Sequence, residues 1–242
     1  MDKKLVVPMI ALVVAAMPLA AQQNSSSDGN SEGGSSAQAT SAEEASWGLG
    51  RYPYDVEQAK DSIAKAVKGG LVPVGLAVEE GKAISVLYSR TDAYSADRWS
   101  IHTFDNPDSL EKEMNTILDR GWVPMGLSRS GQGLYGLFVH TGSAPEGWRI
   151  HRTPKDSESI TEAIKQFRSE GFRLFDVSTF DDSAWYVFVR QNDGSEQPPV
   201  LLRRYSFSGD TLRPAVNAAI DDGLLPWGLA KEGDTVSVLF SR

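Results

Sequence analysis

Four segments of this chain repeat one pattern about fifty residues apart: GLVPVGLAVEEGKAISVLYSR from Gly70, GWVPMGLSRSGQGLYGLFVH from Gly121, GFRLFDVSTFDDSAWYVFVR from Gly171 and GLLPWGLAKEGDTVSVLFSR from Gly223. A fixed internal period constrains the architecture more than any single motif. Each copy has to be one supersecondary unit whose apolar face is buried against its neighbours.

The residues before each glycine predict a helix. Ala59, Ile63 and Val67 precede Gly70 in steps of four. Leu110, Met114 and Leu118 stand in the same way before Gly121, and Leu212, Val216 and Ile220 before Gly223. Ile160 and Ile164 do so before Gly171, with Phe167 covering the last turn. Such steps place apolar side chains on one helical face. The glycine then falls where a helix ends in a left-handed residue. Ser159 with Glu162, and Asp108 with Glu111, read as capping boxes at the helix starts, and Pro214 reads as a first-turn residue.

After the glycine the period changes to two. Val72, Val74 and Leu76 alternate with Pro73 and Gly75, as do Val123, Met125 and Leu127, and Leu225, Trp227 and Leu229, which predicts strands with one buried face. A turn with Gly81, Gly131 or Gly233 leads into a second strand, as in a hairpin. That strand closes on an aromatic, one residue, and Arg90, His140, Arg190 or Arg242. Trp99 to His102 and Trp148 to His151 read as a further strand before the helix, with Tyr205 to Phe207 and Tyr52 to Tyr54 as weaker counterparts. The expected fold is α+β, four tandem βαββ repeats forming mainly antiparallel sheet with helices on one face. The repeats span residues 47–90, 97–140, 146–190 and 203–242.

The copies differ. Counted from Tyr52 and Tyr205 the aromatic-to-glycine spacing is 18, but from Trp99 and Trp148 it is 22 and 23. The outer copies also share G-L-x-P-x-G-L-A. This A-B-B-A order suits a closed or pseudo-twofold body better than an open solenoid, organised as one four-unit domain or as two paired halves.

The chain opens with MDKK, a short apolar run to Ala20 and small residues up to Ala21. That is the layout of a cleaved signal peptide over 1–21. The run is short for a membrane span and contains Pro8 and Pro18. There is no cysteine, which excludes disulfides and the lipid-anchored lipoprotein route. Residues 22–46 are rich in Ser, Gly, Ala and Gln, a composition that cannot bury enough surface to fold. The expected location is the bacterial periplasm or the medium, with no stable membrane span after cleavage. A net charge of −8 without a basic stripe argues against a nucleic-acid partner.

The third copy, with G-F-R-L-F-D-V and W-Y-V-F-V-R, resembles a family of small bacterial domains of unassigned function. Their strand–helix–hairpin units carry a G-W-E-L-V turn and end in an aromatic-Lys-Arg strand. The resemblance covers about twenty residues per copy. The other copies depart from it at Pro73, Pro124 and Pro226. It implies the fold and no activity.

Candidate chemistry is sparse. Gly131-Gln-Gly133-Leu-Tyr-Gly136 spells G-x-G-x-x-G, but it leads into a strand, whereas a dinucleotide site needs those glycines to open a helix. Glu79-Glu80 and Asp181-Asp182 sit at hairpin tips, where adjacent carboxylates do not face each other across a cleft. His102 and His151 are equivalent positions. They are either half-exposed polar residues or, if the inner copies pack about a twofold, a pair able to meet around a carboxylate. Without Cys or a spaced acidic partner they make no metal site, and no cofactor is expected.

The remaining signal is aromatic. Trp99, Trp122, Trp148 and Trp227 lie on predicted strands. Trp122 is expected to share a face with Pro124 and Gly126, leaving a shallow groove, and the terminal arginines would line a rim. Such rings either stack a sugar or peptide or fill a second core layer between units. Trp99, His102, Trp122, Trp148 and His151 are therefore the candidate ligand-binding residues. The expected function is a non-enzymatic cell-envelope binding or structural module, with a cell-wall glycan or envelope protein as partner. The alternative is an envelope enzyme with its site in the third copy, where Asp176 replaces the glycine of the others.

Overall fold

The computed structural model describes residues 46–91, 98–131, 133–141, 144–154, 156–180, 183–190 and 200–241. The expected leader, residues 22–45, Asp181, Asp182 and Arg242 lie outside them. Strand, helix, strand, strand recurs four times. The first unit is β1 (Trp47–Pro53), α1 (Val56–Lys68), β2 (Val72–Glu79) and β3 (Ala83–Ser89). The second is β4 (Trp99–Phe104), α2 (Pro107–Asp119), β5 (Trp122–Ser130) and β6 (Gly133–His140). The third is β7 (Gly147–Pro154), α3 (Ser157–Ser169), β8 (Arg173–Phe180) and β9 (Ser183–Arg190). The fourth is β10 (Val200–Ser206), α4 (Gly209–Asp221), β11 (Leu225–Glu232) and β12 (Thr235–Ser241). Each unit makes its own three-stranded antiparallel sheet with the last strand in the middle. The molecule is thus α+β, with four small sheets and one helix to each.

Each helix ends as the glycines require. Gly70, Gly121, Gly171 and Gly223 have φ of 81°, 78°, 84° and 79°, a region other residues enter only with strain. In the first unit the Gly70 and Leu71 N–H groups return to the Val67 and Ala66 carbonyls, and the third and fourth units repeat both bonds. The starts lie earlier than the capping boxes suggested. Asn106 caps α2 with Ser109 as its reciprocal partner, and Asp156 caps α3 by accepting from the Ser159 N–H. Ser159 and Asp108 are therefore inside the first turn, because Pro107 fits the first helical position and Asp156 offers an acceptor one turn upstream. Pro214 lies inside α4, beyond its first turn.

All four second strands carry a bulge one residue after the Pro73 position, seen as register shifts at Pro73/Gly75, Pro124/Gly126, Leu174/Asp176 and Pro226/Gly228. An extra residue reverses the facing of everything beyond it. Pro124 pairs with Phe138 but Gly126 pairs with Leu137, so Trp122 and Gly126 do not share a face and the expected groove is absent. The bulge residues Val74, Met125, Phe175 and Trp227 are all buried. The strands are buried on both faces, β2 from Val72 to Val78 without a break, so the one-faced reading of their alternation does not hold.

The reason is the assembly of the units. β2 packs on β5, β5 on β8, β8 on β11 and β11 on β2, which closes a ring with the second strands at its centre. Each sheet holds its own helix on one face. The other, the seam face, receives the second strand of the preceding unit, with the fourth unit preceding the first, and in the first and third units a side chain from that unit's helix as well. Strand pairing also realigns the copies. Trp47, Trp99, Trp148 and Val200 lie opposite Ser89, Val139, Val189 and Ser241, one common position. Counted from there, the spacing to the cap glycine is 23, 22, 23 and 23 residues. The apparent difference arose from matching Tyr52 and Tyr205, which sit five residues further along, with Trp99 and Trp148. β10 accordingly starts at Val200, ahead of the expected 203.

Candidate functional site

A sheet edge buried on a neighbour's face needs partners for its backbone groups or room to come close. The seam-face residues supply both. A Cβ on Gly126 would stand 2.5 Å from the Leu76 nitrogen, and one on Gly75 would stand 2.8 Å from the Leu229 nitrogen. Glycine there lets the neighbouring strand approach to backbone contact. Two residues along stand Ala77, Ser128, Ser178 and Ala230, small in every copy. Ser128 Oγ accepts the Val78 N–H at 2.8 Å, and Ser178 Oγ donates to the Leu127 carbonyl.

Asp176 holds the glycine position of the third unit and is wholly buried. Its Oδ2 accepts the Leu127 N–H at 2.5 Å, and Ser178 Oγ lies 3.4 Å from the same oxygen. Oδ1 has no hydrogen-bond partner among the described residues. Burial raises the carboxyl pKa well above the usual range, outweighing the hydrogen bonds from Leu127, Val177 and Ser178 that favour the charged form. Asp176 therefore keeps its proton into a pH range where an exposed aspartate is ionised.

The tryptophans at the common position fasten the outer parts of the seams. Trp47 Nε1 donates to Asn217 of α4 and Trp148 Nε1 to Asn115 of α2, each at 2.7 Å. Asn217 and Asn115 both stand six residues before their cap glycine. Ala64 holds that place in α1, so Trp99 meets no amide there, and Lys165 holds it in α3 opposite Val200. Seams 4/1 and 2/3 thus carry a tryptophan–asparagine bond that, among the described residues, seams 1/2 and 3/4 lack, while seam 1/2 joins the Tyr54 and Tyr135 hydroxyls at 2.9 Å. Arg152 adds to seam 2/3, bonding Glu111 at 2.9 Å and lying 4.0 Å over the Trp185 ring.

Seam 4/1 closes the ring with a further cluster. Lys231 Nζ reaches Glu79 Oε1 at 2.8 Å and the Gly233 carbonyl at 2.6 Å, and stands 4.7 Å over the Phe207 ring. Arg51 approaches Glu79 Oε2 at 3.4 Å and covers the same ring at 5.5 Å. A half-buried carboxylate is thereby shared by two cations and one aromatic face.

The residues singled out from sequence do not converge. Trp99 and Trp148 are partly buried against the core on different seams, and no ring contact joins them. His102 and His151 face their own helices. His102 lies edge-on to Phe138 at 5.3 Å and His151 to Phe167 at 5.2 Å, and the two imidazoles do not meet. Burial lowers the His102 pKa, with Glu113 offsetting part of the effect and Lys60 adding to it. Trp122 lies edge-on to His140 at 5.2 Å under Arg98 at 5.6 Å. Arg90 bonds the Gly69 carbonyl at the end of α1, and Arg190 pairs with Glu146 and covers Phe172. These two arginines thus hold helix ends and strand ends instead of forming a rim.

Three features of the structure lie outside the sequence expectations. Trp47 was hidden by the misalignment, although its 23-residue spacing to Gly70 would have found it. The Glu79–Lys231 pair joins residues 152 apart, and no local signal marks it. A polar pocket on the seam face of the fourth unit, lined by Arg204, Ala230, Glu232, Thr235 and Ser237, depends on tertiary packing. Among the described residues no group of three or more potential ligands is placed to hold a metal. No helix there is long and apolar enough to cross a membrane. Compared with known proteins, the chain matches no family model and no curated sequence.

Proposed function

We propose that the protein is an exported, non-catalytic module of the bacterial cell envelope, a closed ring of four strand–helix–strand–strand units that binds an envelope component. The observation that carries this reading is the placement of its distinctive side chains. Trp47, Trp99 and Trp148, the seam-face glycines Gly75, Gly126 and Gly228, and Arg51, Arg152 and Arg204 all recur at equivalent positions of the units. Repeated positions suit a scaffold that presents the same chemistry around a ring, whereas a catalytic site concentrates unlike groups in one cleft. The residue that breaks the repeat, Asp176, has no solvent exposure, so a reaction there would require the ring to part. The leader and the Ser- and Gly-rich segment read from the sequence support export and a spacer ahead of the ring.

Co-sedimentation with purified cell-wall sacculi tests the reading. The ring is expected to pellet with sacculi in a saturable manner and to remain soluble without them. A ring that stays in the supernatant at all sacculus concentrations, together with recovery of the full-length chain from the cytoplasm, would overturn it.

A further inference from the structure

The first unit takes part in two tyrosine pairs whose hydroxyls touch, and the pairs stand in opposite settings. Tyr52 and Tyr88 meet at 2.7 Å within the unit, on neighbouring strands of its own sheet, and Tyr88 is buried. Tyr54 and Tyr135 meet at 2.9 Å across the seam between the first and second units, 81 residues apart in sequence. Tyr54 follows the end of β1 and is 38% exposed. Tyr135 lies half-buried on β6, between Thr103 and Ser128 of the flanking strands. Two contacts hold the units in register there. Ser128 Oγ accepts the Val78 N–H at 2.8 Å. Glu80 lies so near Gly131 that a Cβ on that glycine would stand 2.5 Å from its carboxylate.

The repeat does not carry this pair to the other seams. The residue before the helix cap is Tyr54 in the first unit, but Asp105, Lys155 and Phe207 in the second, third and fourth. The units that follow those three carry Trp185, Ser237 and Ser85 at the Tyr135 position. These two positions therefore bring two phenols together at seam 1/2 alone. Seam 1/2 also lacks the tryptophan–asparagine bond of seams 4/1 and 2/3, and the chain has no cysteine with which a disulfide could tie its units.

We propose that Tyr54 and Tyr135 are an oxidative cross-linking site, where a haem peroxidase with hydrogen peroxide closes a dityrosine bond that staples the first unit to the second. The peroxidase takes one electron and one proton from each phenol, and one peroxide is reduced to two waters. The two phenoxyl radicals couple through ring carbons ortho to their oxygens. Each coupling carbon then gives up its hydrogen and its oxygen regains one, which restores both hydroxyls. The net change is one carbon–carbon bond formed and two hydrogen atoms lost from the protein. An ortho carbon adjoins the carbon that bears the hydroxyl, so hydroxyls at 2.9 Å keep the coupling carbons near each other. The exposed Tyr54 side chain is free to turn and align them. Tyr52 and Tyr88 touch as closely, but the burial of Tyr88 withholds that pair from the oxidant. The coupling depends on the pair alone, whereas its use as a staple rests on the export proposed above, since export takes a chain to where covalent ties between side chains persist.

The test is treatment of the dilute, purified full-length chain with a haem peroxidase and hydrogen peroxide. The expected product is a monomer lighter by two hydrogen atoms, with dityrosine fluorescence and a cross-linked peptide pair that contains Tyr54 and Tyr135. Its unfolding midpoint should rise by several degrees, because the bond closes a loop of 81 residues in the unfolded chain. Tyr54→Phe should remove the product. Dityrosine that persists in Tyr54→Phe, that joins Tyr52 to Tyr88, or that occurs only in dimers would overturn the proposal. Should Tyr54→Phe fail to fold, peptide mapping of the unaltered protein still decides. Chain recovered from the envelope of peroxide-treated cells should carry the link. Envelope chain without it would overturn the staple and leave the export reading standing. Chain recovered from the cytoplasm that couples when treated after purification would overturn export and support the site.

Discussion

The buried carboxyl of Asp176 gives the account a quantitative consequence. Its folded-state pKa lies well above the ordinary aspartate value, because burial outweighs the hydrogen bonds that favour ionisation. The native state therefore holds a proton that the unfolded chain releases above about pH 3.9. With the folded pKa raised, the stabilising contribution is complete below the unfolded pKa and is lost as pH rises towards the folded one. Over that window the slope approaches about 1.4 kcal/mol per pH unit for one proton. Asp176→Asn keeps an oxygen for the Leu127 N–H and does not titrate. Near pH 4 the two proteins should agree within about 1 kcal/mol, the net worth of a hydrogen bond. Towards pH 8 the asparagine variant should become the more stable by a growing margin. Urea unfolding followed by tryptophan fluorescence at several pH values gives both curves, and their difference cancels the other titrating groups. Parallel curves would refute the reasoning, and a variant that loses ground as pH rises would mean that Asp176 is ionised and paired.

Four other substitutions follow from the packing. Gly126→Ala sets a Cβ 2.5 Å from the Leu76 backbone nitrogen, where no flexible side chain can yield, and should cost about 1–3 kcal/mol in urea unfolding. Gly121→Ala, at a φ of 78°, should cost about 1 kcal/mol from backbone strain. Trp47→Phe should lose about 1 kcal/mol with the Asn217 hydrogen bond, and a double-mutant cycle with Asn217→Ala should recover that value as coupling. Trp99→Phe should show a smaller loss, because Ala64 offers its indole no acceptor.

The parts of the fold legible in the sequence are those set by local chemistry. A glycine at positive φ after a helical apolar stripe marks a helix end in every copy, and the hairpin glycines Gly81, Gly131 and Gly233, at 64°, 58° and 55°, mark turns. The bulges were illegible because an inserted residue leaves the apolar alternation intact while reversing its facing, which is how Trp122 and Gly126 came to be assigned to one face. Tyr52 misled the alignment because an aromatic stands at that place in three copies, Tyr52, Phe104 and Tyr205, just as one stands at the Trp47 position. Asp176 was visible as the exception in a column of glycines. Its burial was not, because it depends on the edge of β5 lying against the third sheet. The same holds for the pocket of the fourth unit, whose lining residues Arg204, Ala230, Glu232, Thr235 and Ser237 are brought together by the pairing of β10, β11 and β12.

The central claim is that the first and fourth units meet and close the ring. The chain has no cysteine, so a Glu79→Cys and Lys231→Cys pair provides the sole thiols, at positions whose native side chains touch across 152 residues of sequence. A short bis-maleimide added to dilute protein should join them within one chain, and the cross-linked peptide pair should be found by mass spectrometry after proteolysis. Cross-links confined to dimers, or two thiols that each react singly under native conditions, would show an open array and contradict the account.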